Sequence, residues 1–106
     1  MAWVYLFIAG IMEIGWAIGL KYTNGFSRFW PSVGTVSAMI VSFYFLSQAL
    51  KIIPIGTGYA VWTGIGAVGT AALGILLFDE PREFFRILCI VLIVVGIVGL
   101  KVVSPP

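Results

Sequence analysis

The sequence predicts an all-α membrane protein with four transmembrane helices, paired as an antiparallel, dual-topology homodimer. Of its 106 residues, 61% are hydrophobic and 9% are charged, whereas soluble domains keep about a quarter of their residues charged. Four apolar stretches each approach the ~20 residues that a helix needs to cross a bilayer. They cover residues 2–20, 32–50, 57–78 and 84–103. Short connections leave no room for a soluble domain, so residues 1–106 are expected to form a single membrane domain.

The composition also excludes several classes of protein. The chain has no histidine and a single cysteine, Cys89, which excludes a His/Cys metal site or a disulfide within one chain. A formal net charge of +2 is too small and too scattered to suggest nucleic-acid binding. We also expect a protein that is not an enzyme and needs neither a metal nor a cofactor.

The first helix carries Glu13, a lone carboxylate within an apolar run. At about 1.5 Å of rise per residue, Glu13 lies roughly 16 to 18 Å along this helix, near the midplane of a hydrocarbon core about 30 Å thick. Charged residues at this depth are costly and usually functional. No lysine or arginine precedes the run, so we expect a retained helix and not a cleaved signal peptide.

One face of the first helix combines this carboxylate with small and aromatic residues. Gly10, Glu13, Trp16 and Ala17 are spaced by three or four residues and therefore share a face. Gly10 and Ala17 allow another helix to approach, while Trp16 stands beside the carboxylate. Glu13 is thus the predicted substrate and proton site, and Trp16 is predicted to line it.

The second helix carries a stripe of small residues that recur every seven positions: Thr35, Ser42 and Ala49. It follows a connection with the turn signal Asn24-Gly25 and begins near Pro31. Ser42 lies at mid-depth and has two possible roles. It either makes an interhelical hydrogen bond, as polar residues in membrane helices often do, or orients Glu13 within the site.

The third helix contributes aromatic residues and closely spaced glycines. Tyr59, Trp62 and Gly66 share a face, and Trp62 lies too deep for an interfacial aromatic belt. Trp62 is therefore predicted to line the site, whereas Tyr59 fits either an interfacial belt or an aromatic face of the site. The run of Gly64, Gly66 and Gly69 fits the G-x-G-x-x-G pattern, but no strand precedes it, so a nucleotide site is not expected. These glycines are predicted to serve close packing or helix bending.

The fourth helix has no polar side chain at mid-depth but has Gly96 and Gly99 near one end. We expect these glycines to form a dimer contact and Cys89 to behave as a small apolar residue. In the connection before this helix, Asp79 or Glu80 is expected to cap it. Pro81 would occupy its first turn and Glu83 would lie near its positive end.

The positive charges barely distinguish the two sides of the membrane. One side has four, Lys21, Arg28, Arg82 and Arg86, and the other has Lys51, Lys101 and the terminal amine. Either a small excess of positive charge sets a single orientation of the chain in the membrane, or copies insert in both orientations and pair antiparallel. Transporters commonly use inverted repeats around a midplane site, and one short chain without an internal repeat lacks that symmetry. We therefore favour the antiparallel homodimer.

The predicted site suits exchange of a proton for an organic cation. Low dielectric disfavours a charged carboxylate, so Glu13 can hold either a proton or a cation. No other acid lies nearby to cage Ca²⁺ or Mg²⁺. Aromatic faces and a carboxylate instead suit organic cations. A planar guanidinium can stack on an aromatic ring and donate two hydrogen bonds to one carboxylate.

Several motifs resemble the small multidrug resistance family, in its guanidinium-exporter subtype, over essentially the whole chain. The resemblance rests on Glu13-Ile-Gly-Trp16-Ala, Lys21-Tyr-Thr-Asn-Gly-Phe26 and Pro54-Ile-Gly-Thr-Gly-Tyr59-Ala-Val-Trp62-Thr-Gly-Ile-Gly-Ala-Val-Gly-Thr70. Trp16 and the segment after Trp62 favour this subtype over drug exporters, in which a small polar residue is expected at position 16. The sequence departs from the subtype's pattern at Gly15, Gly19 and Gly58. These differences are expected to affect helix flexibility and not the chemistry of the site.

The resemblance implies a proton-coupled antiporter of the bacterial inner membrane that works as an antiparallel, dual-topology homodimer. It places Trp16, Ser42, Tyr59 and Trp62 around Glu13. The nearest alternative is an exporter of quaternary ammonium or aromatic cations. Two alternatives without substrate transport are a proton-carrying ring subunit and a structural membrane subunit.

Overall fold

The computed structural model describes residues 1–103 and contains four helices. They are α1 (Ala2–Tyr22), α2 (Phe29–Ala49), α3 (Ile55–Leu77) and α4 (Phe84–Val103). Each has between 20 and 23 residues and is long and apolar enough to cross a membrane. The predicted all-α, four-helix membrane architecture is confirmed.

Proline explains where the two middle helices begin. Helix α2 begins at Phe29, ahead of the predicted Ser32, because Pro31 lies in its first turn, where a backbone N–H has no partner within the helix. Pro54 immediately precedes α3 and is its N-cap residue. The short connections place the 23–28 and 78–83 segments on one side of the membrane and the 50–54 segment on the other.

The connection between α3 and α4 differs from its prediction. Asp79 has a φ of +53° and turns the chain at the end of α3, while the N–H of Glu80 donates to the carbonyl of Gly74 at 3.3 Å. The first hydrogen bond of α4 runs from the N–H of Ile87 to the carbonyl of Glu83 at 3.1 Å. The expectation that Asp79 or Glu80 caps α4 was wrong. Helix α4 begins at Phe84, and both residues lie next to the end of α3 instead.

Helix α1 is the centre of the bundle. It packs against α2 on one side and α3 on the other, and α4 packs against α3 at the edge. Helix α2 buries Thr35, Ser42 and Ala49, which confirms the predicted stripe. None of the residues Phe84–Val103 of α4 is buried, so the face of this apolar helix that does not pack against α3 is available to lipid or to a second copy.

Candidate functional site

The carboxyl group of Glu13 lies in the interface between α1 and α3, directly against Gly66. A Cβ atom added at Gly66 would overlap Oε1, Cδ and Cγ of Glu13. Gly66 is itself buried. The absence of a side chain at position 66 therefore allows the carboxyl group to lie between the two helices.

Glu13 has an unused hydrogen-bonding atom in this interface. Its Oε1 is buried and has no hydrogen-bond partner among residues 1–103. A buried polar atom without a partner costs free energy, so this oxygen is a favourable acceptor for a proton or for an N–H donor. Asp79, Glu80 and Glu83 all lie in the connection before α4, outside the helices.

Trp16 lies about one helical turn beyond Glu13 on α1. Its ring meets the ring of Phe43 edge to face, with the centroids 6.4 Å apart. Its indole Nε1 is buried and also has no hydrogen-bond partner within residues 1–103. The part of α1 that carries the carboxylate therefore has an unpaired acceptor and an unpaired donor one turn apart.

Ser42 joins three helices through a pair of buried hydrogen bonds. Its hydroxyl donates to the carbonyl of Ala9 on α1 at 2.7 Å and accepts from the indole Nε1 of Trp62 on α3 at 3.0 Å. In an α-helix the same Ala9 carbonyl also accepts the N–H of Glu13. Ser42 thus makes the predicted interhelical bond and contacts the turn of backbone that carries Glu13.

Four aromatic rings form a continuous row beside this network. Phe43 lies between Trp16 and Trp62, with its ring centroid 5.8 Å from that of Trp62. Tyr59 continues the row at 5.4 Å from Trp62. Trp62 is 6% exposed, whereas Tyr59 is 56% exposed. We call Trp16, Phe43, Trp62 and Tyr59 the aromatic row.

Phe43 was not among the predicted site residues. It follows Ser42 directly but lies outside the small-residue stripe, and half of its surface is exposed. The sequence feature that could have indicated Phe43 as a site residue is its position directly after a serine at mid-membrane depth. Its role as the link between α1 and α3 depends on packing that no local pattern specifies.

The glycines predicted to pack helices do lie at helix contacts, whereas those of α4 do not. Added Cβ atoms would meet Ile65 from Gly10, Ile97 from Gly64 and Ile14 from Gly69. Cβ atoms added at Gly96 and Gly99 would meet no atom of another helix or side chain within 4 Å among residues 1–103. Their predicted role in a dimer contact therefore stays a prediction.

Comparison with known proteins identifies the family. A model of the Small Multidrug Resistance protein family matches residues 1–93. The chain belongs to the Small Multidrug Resistance family. This finding confirms the resemblance seen in the motifs around Glu13, Tyr59 and Trp62.

Three curated relatives have the same name, guanidinium exporter. The protein of Proteus vulgaris is 58% identical over 104 residues, which cover 98% of this chain and 100% of the relative. Those of Escherichia coli K12 and Salmonella typhimurium are 58% and 56% identical over 101 residues, covering 95% of this chain and 96% of each relative. Four membrane-spanning helices in a family of small transporters make this chain a multi-pass protein of the bacterial inner membrane.

Proposed function

We propose that this protein is a proton-coupled antiporter that exports guanidinium and small substituted guanidinium ions. The observation that carries the proposal is the mid-helix carboxyl group of Glu13, whose buried Oε1 has no partner among residues 1–103. The shared name of the three relatives supports guanidinium as the cargo. The protein would act as a transporter and not as an enzyme.

The groups around Glu13 suit a flat cation that donates hydrogen bonds. A guanidinium ion presents its N–H groups in a planar fork that matches the two oxygens of a carboxylate. Its weakly hydrated face stacks on aromatic rings, which the neighbouring Trp16 and the rest of the aromatic row provide. Ser42, Tyr59 and Trp62 would hold the wall of the site through the hydrogen bonds and ring contacts described above.

Coupling follows from competition for one carboxyl group. Glu13 binds a proton or a cation at a given time, because the proton neutralises the charge that attracts the cation. If the protein switches between its inward-open and outward-open states only when loaded, proton import drives guanidinium export. This is alternating access with a single shared site.

The switch would require a second copy of the chain. Four helices without an internal repeat lack the two-fold symmetry on which alternating access commonly relies. An antiparallel homodimer supplies it and brings two Glu13 residues to one cavity. The unburied helix α4 offers a surface for that pairing.

The test is transport in proteoliposomes with an imposed proton gradient. The wild-type protein should accumulate guanidinium against its gradient, and Glu13→Gln should abolish this uptake while remaining a folded dimer. Glu83→Gln, at an exposed carboxylate outside the helices, is the matched control and should transport normally. Robust guanidinium transport by Glu13→Gln would refute the mechanism, and uptake of tetraphenylphosphonium in preference to guanidinium would favour a drug exporter.

A further inference from the structure

An apolar groove runs between α1, α3 and α4. It consists of a cavity of about 330 Å³ and a second cavity of about 280 Å³. Ile65, Ile97 and Val98 line both cavities, so the two form one continuous groove. Within residues 1–103, α4 packs against α3 and not directly against α1. The groove therefore occupies the space between α1 and α4, and we call it the α1–α4 groove.

The α1–α4 groove has about the length of one membrane leaflet. On α4 its lining extends from Val102 to Val94, a distance of about 12 Å at 1.5 Å per residue. On α1 it extends from Trp3 to Ile14, a distance of about 16 Å. Half of a hydrocarbon core about 30 Å thick is about 15 Å. The groove thus reaches from the membrane boundary to the midplane, the depth that the acyl chain of a phospholipid occupies.

A lysine and a tryptophan form the outer end of the groove. The ammonium group of Lys101 lies 4.9 Å from the centre of the Trp3 ring, and both residues line the outer cavity. Tryptophan at a membrane boundary lies at the level of the lipid headgroups, and a lysine near a helix end extends its ammonium group to the same level. An ammonium group has three N–H donors. It can therefore bind a phosphate oxygen while it remains on the ring.

The membrane boundary at this end carries positive side chains and no acidic ones. Lys51 and Lys101 both lie on this side. Three of the four acidic side chains lie in the 78–83 connection at the opposite boundary, and the fourth is Glu13 at mid-depth. An anionic headgroup at Lys101 therefore meets an opposite charge and no acidic side chain. Basic pockets between membrane helices bind anionic headgroups for this reason.

The groove faces away from the predicted dimer contact of α4. At about 100° of rotation per residue, Ile97, Val98 and Lys101 each lie about 100° or more around the helix from both Gly96 and Gly99. A second copy that packs on the two glycines would leave the groove open to the bilayer. A lipid is therefore the occupant that fits both the position and the charge of the groove.

We propose that the α1–α4 groove binds an anionic phospholipid, with one acyl chain between α1 and α4 and the headgroup phosphate on Lys101. Leu6 and Val61 form a fixed apolar wall for the acyl chain, because both line the outer cavity and both are buried. The acyl chain fills the space that α4 leaves beside α1, so the bound lipid holds α4 in place. This inference goes beyond the antiport function and does not depend on it.

The test is a lipid titration of the purified whole chain in detergent, followed by native mass spectrometry. Dioleoyl phosphatidylglycerol should bind at one molecule per chain, and more tightly than dioleoyl phosphatidylcholine, which has the same acyl chains but no net charge. Lys101→Gln should weaken phosphatidylglycerol binding by roughly fivefold, the effect of one cation at the membrane surface, and should affect phosphatidylcholine less. Lys51→Gln is the matched control, because Lys51 is exposed at the same boundary but lines neither cavity.

A second pair of variants tests the acyl-chain part of the groove. Val98→Trp places a bulky ring in the groove and should weaken the binding of both lipids several-fold. Val91→Trp is its control, because Val91 lies seven residues earlier on the same face of α4 and lines neither cavity. The two valines are similarly exposed, at 48% for Val91 and 56% for Val98.

Three results would overturn the proposed lipid site. They are equal binding of the two lipids to the wild-type protein, equal losses in Lys101→Gln and Lys51→Gln, and a Val98→Trp variant that loses the dimer but keeps lipid binding. The last result would assign the groove to a second copy of the chain. If Val98→Trp does not fold, the two lysine variants decide the proposal alone.

Discussion

Gly66 of α3 supports the carboxyl group of Glu13 so closely that even a methyl group at position 66 would overlap it. The contact joins the two helices that flank the site and fixes the level at which the carboxylate lies. The position of Glu13 therefore also depends on Gly66, a residue that has no functional group in its side chain.

Gly66→Ala should therefore damage the site without removing any functional group. The added methyl group must push Glu13 aside or separate α1 from α3, and overpacking of this kind typically costs about 1–3 kcal/mol. We expect guanidinium affinity, measured by titration calorimetry, to fall by tenfold or more, the equivalent of about 1.4 kcal/mol. Gly56→Ala is the control on the same helix, because nothing lies within 4 Å of its added Cβ. Equal affinities for the two variants would contradict the proposed packing role.

Removal of the Ser42 hydroxyl should weaken the bundle as well as the site. Ser42→Ala breaks the bonds to Ala9 and Trp62 and leaves the buried Trp62 indole without an acceptor. Hydrogen bonds between membrane helices are modest, so we expect a loss of about 1–2 kcal/mol in unfolding free energy, measured by denaturation in detergent. Ser47→Ala is the matched control, because its hydroxyl bonds within its own helix to the carbonyl of Tyr44 at 2.7 Å. An equal loss in both variants would show that Ser42 has no special role.

Trp16 should determine which cations the site accepts. Trp16→Ser removes an aromatic face beside Glu13 and opens space next to Phe43. We expect guanidinium to bind more weakly and tetraphenylphosphonium, a bulkier cation, to bind more tightly, each measured as the change in Kd. The control is Trp30→Ser, whose ring is 76% exposed and distant from the site. Unchanged preference in Trp16→Ser would contradict the role assigned to this ring.

The predicted antiparallel arrangement of the dimer can be tested with Cys89, the single cysteine of the chain. If α4 pairs antiparallel at Gly96 and Gly99, the two Cys89 residues lie about 25 Å apart at 1.5 Å per residue. A parallel pairing through Gly96 would place them together, since Cys89 lies seven residues earlier on the same face. We expect no disulfide between copies on oxidation in membranes, and a reduced dimer fraction for Gly96→Ile. Efficient formation of a Cys89–Cys89 bond would contradict the antiparallel arrangement.

The architecture was predictable because membrane helices follow from composition and length. The period of seven in Thr35, Ser42 and Ala49 also predicted which face of α2 is buried. Such patterns act within one helix, where the spacing of side chains is fixed by the backbone. The same reasoning placed Glu13 at mid-membrane depth and Trp16 next to it.

Contacts between helices were less accessible to prediction. Ser42 donates to the backbone carbonyl of Ala9, and a carbonyl has no signature in the sequence. Phe43 acquires its position only when α1, α2 and α3 pack. Asp79 or Glu80 was expected to cap α4, but Asp79 instead turns the chain just after α3 with a positive φ, which the helix-capping preferences of aspartate do not indicate.

Guanidinium binding to the purified protein as a function of pH tests the central claim most directly. If a proton and the cation compete for Glu13, the apparent Kd should rise as pH falls. Once Glu13 is mostly protonated, the rise should approach about tenfold per pH unit, the limit for one competing carboxyl group. Glu13→Gln should abolish binding, whereas Glu83→Gln should reproduce the wild-type curve. A Kd that does not depend on pH, or retained binding in Glu13→Gln, would contradict the account.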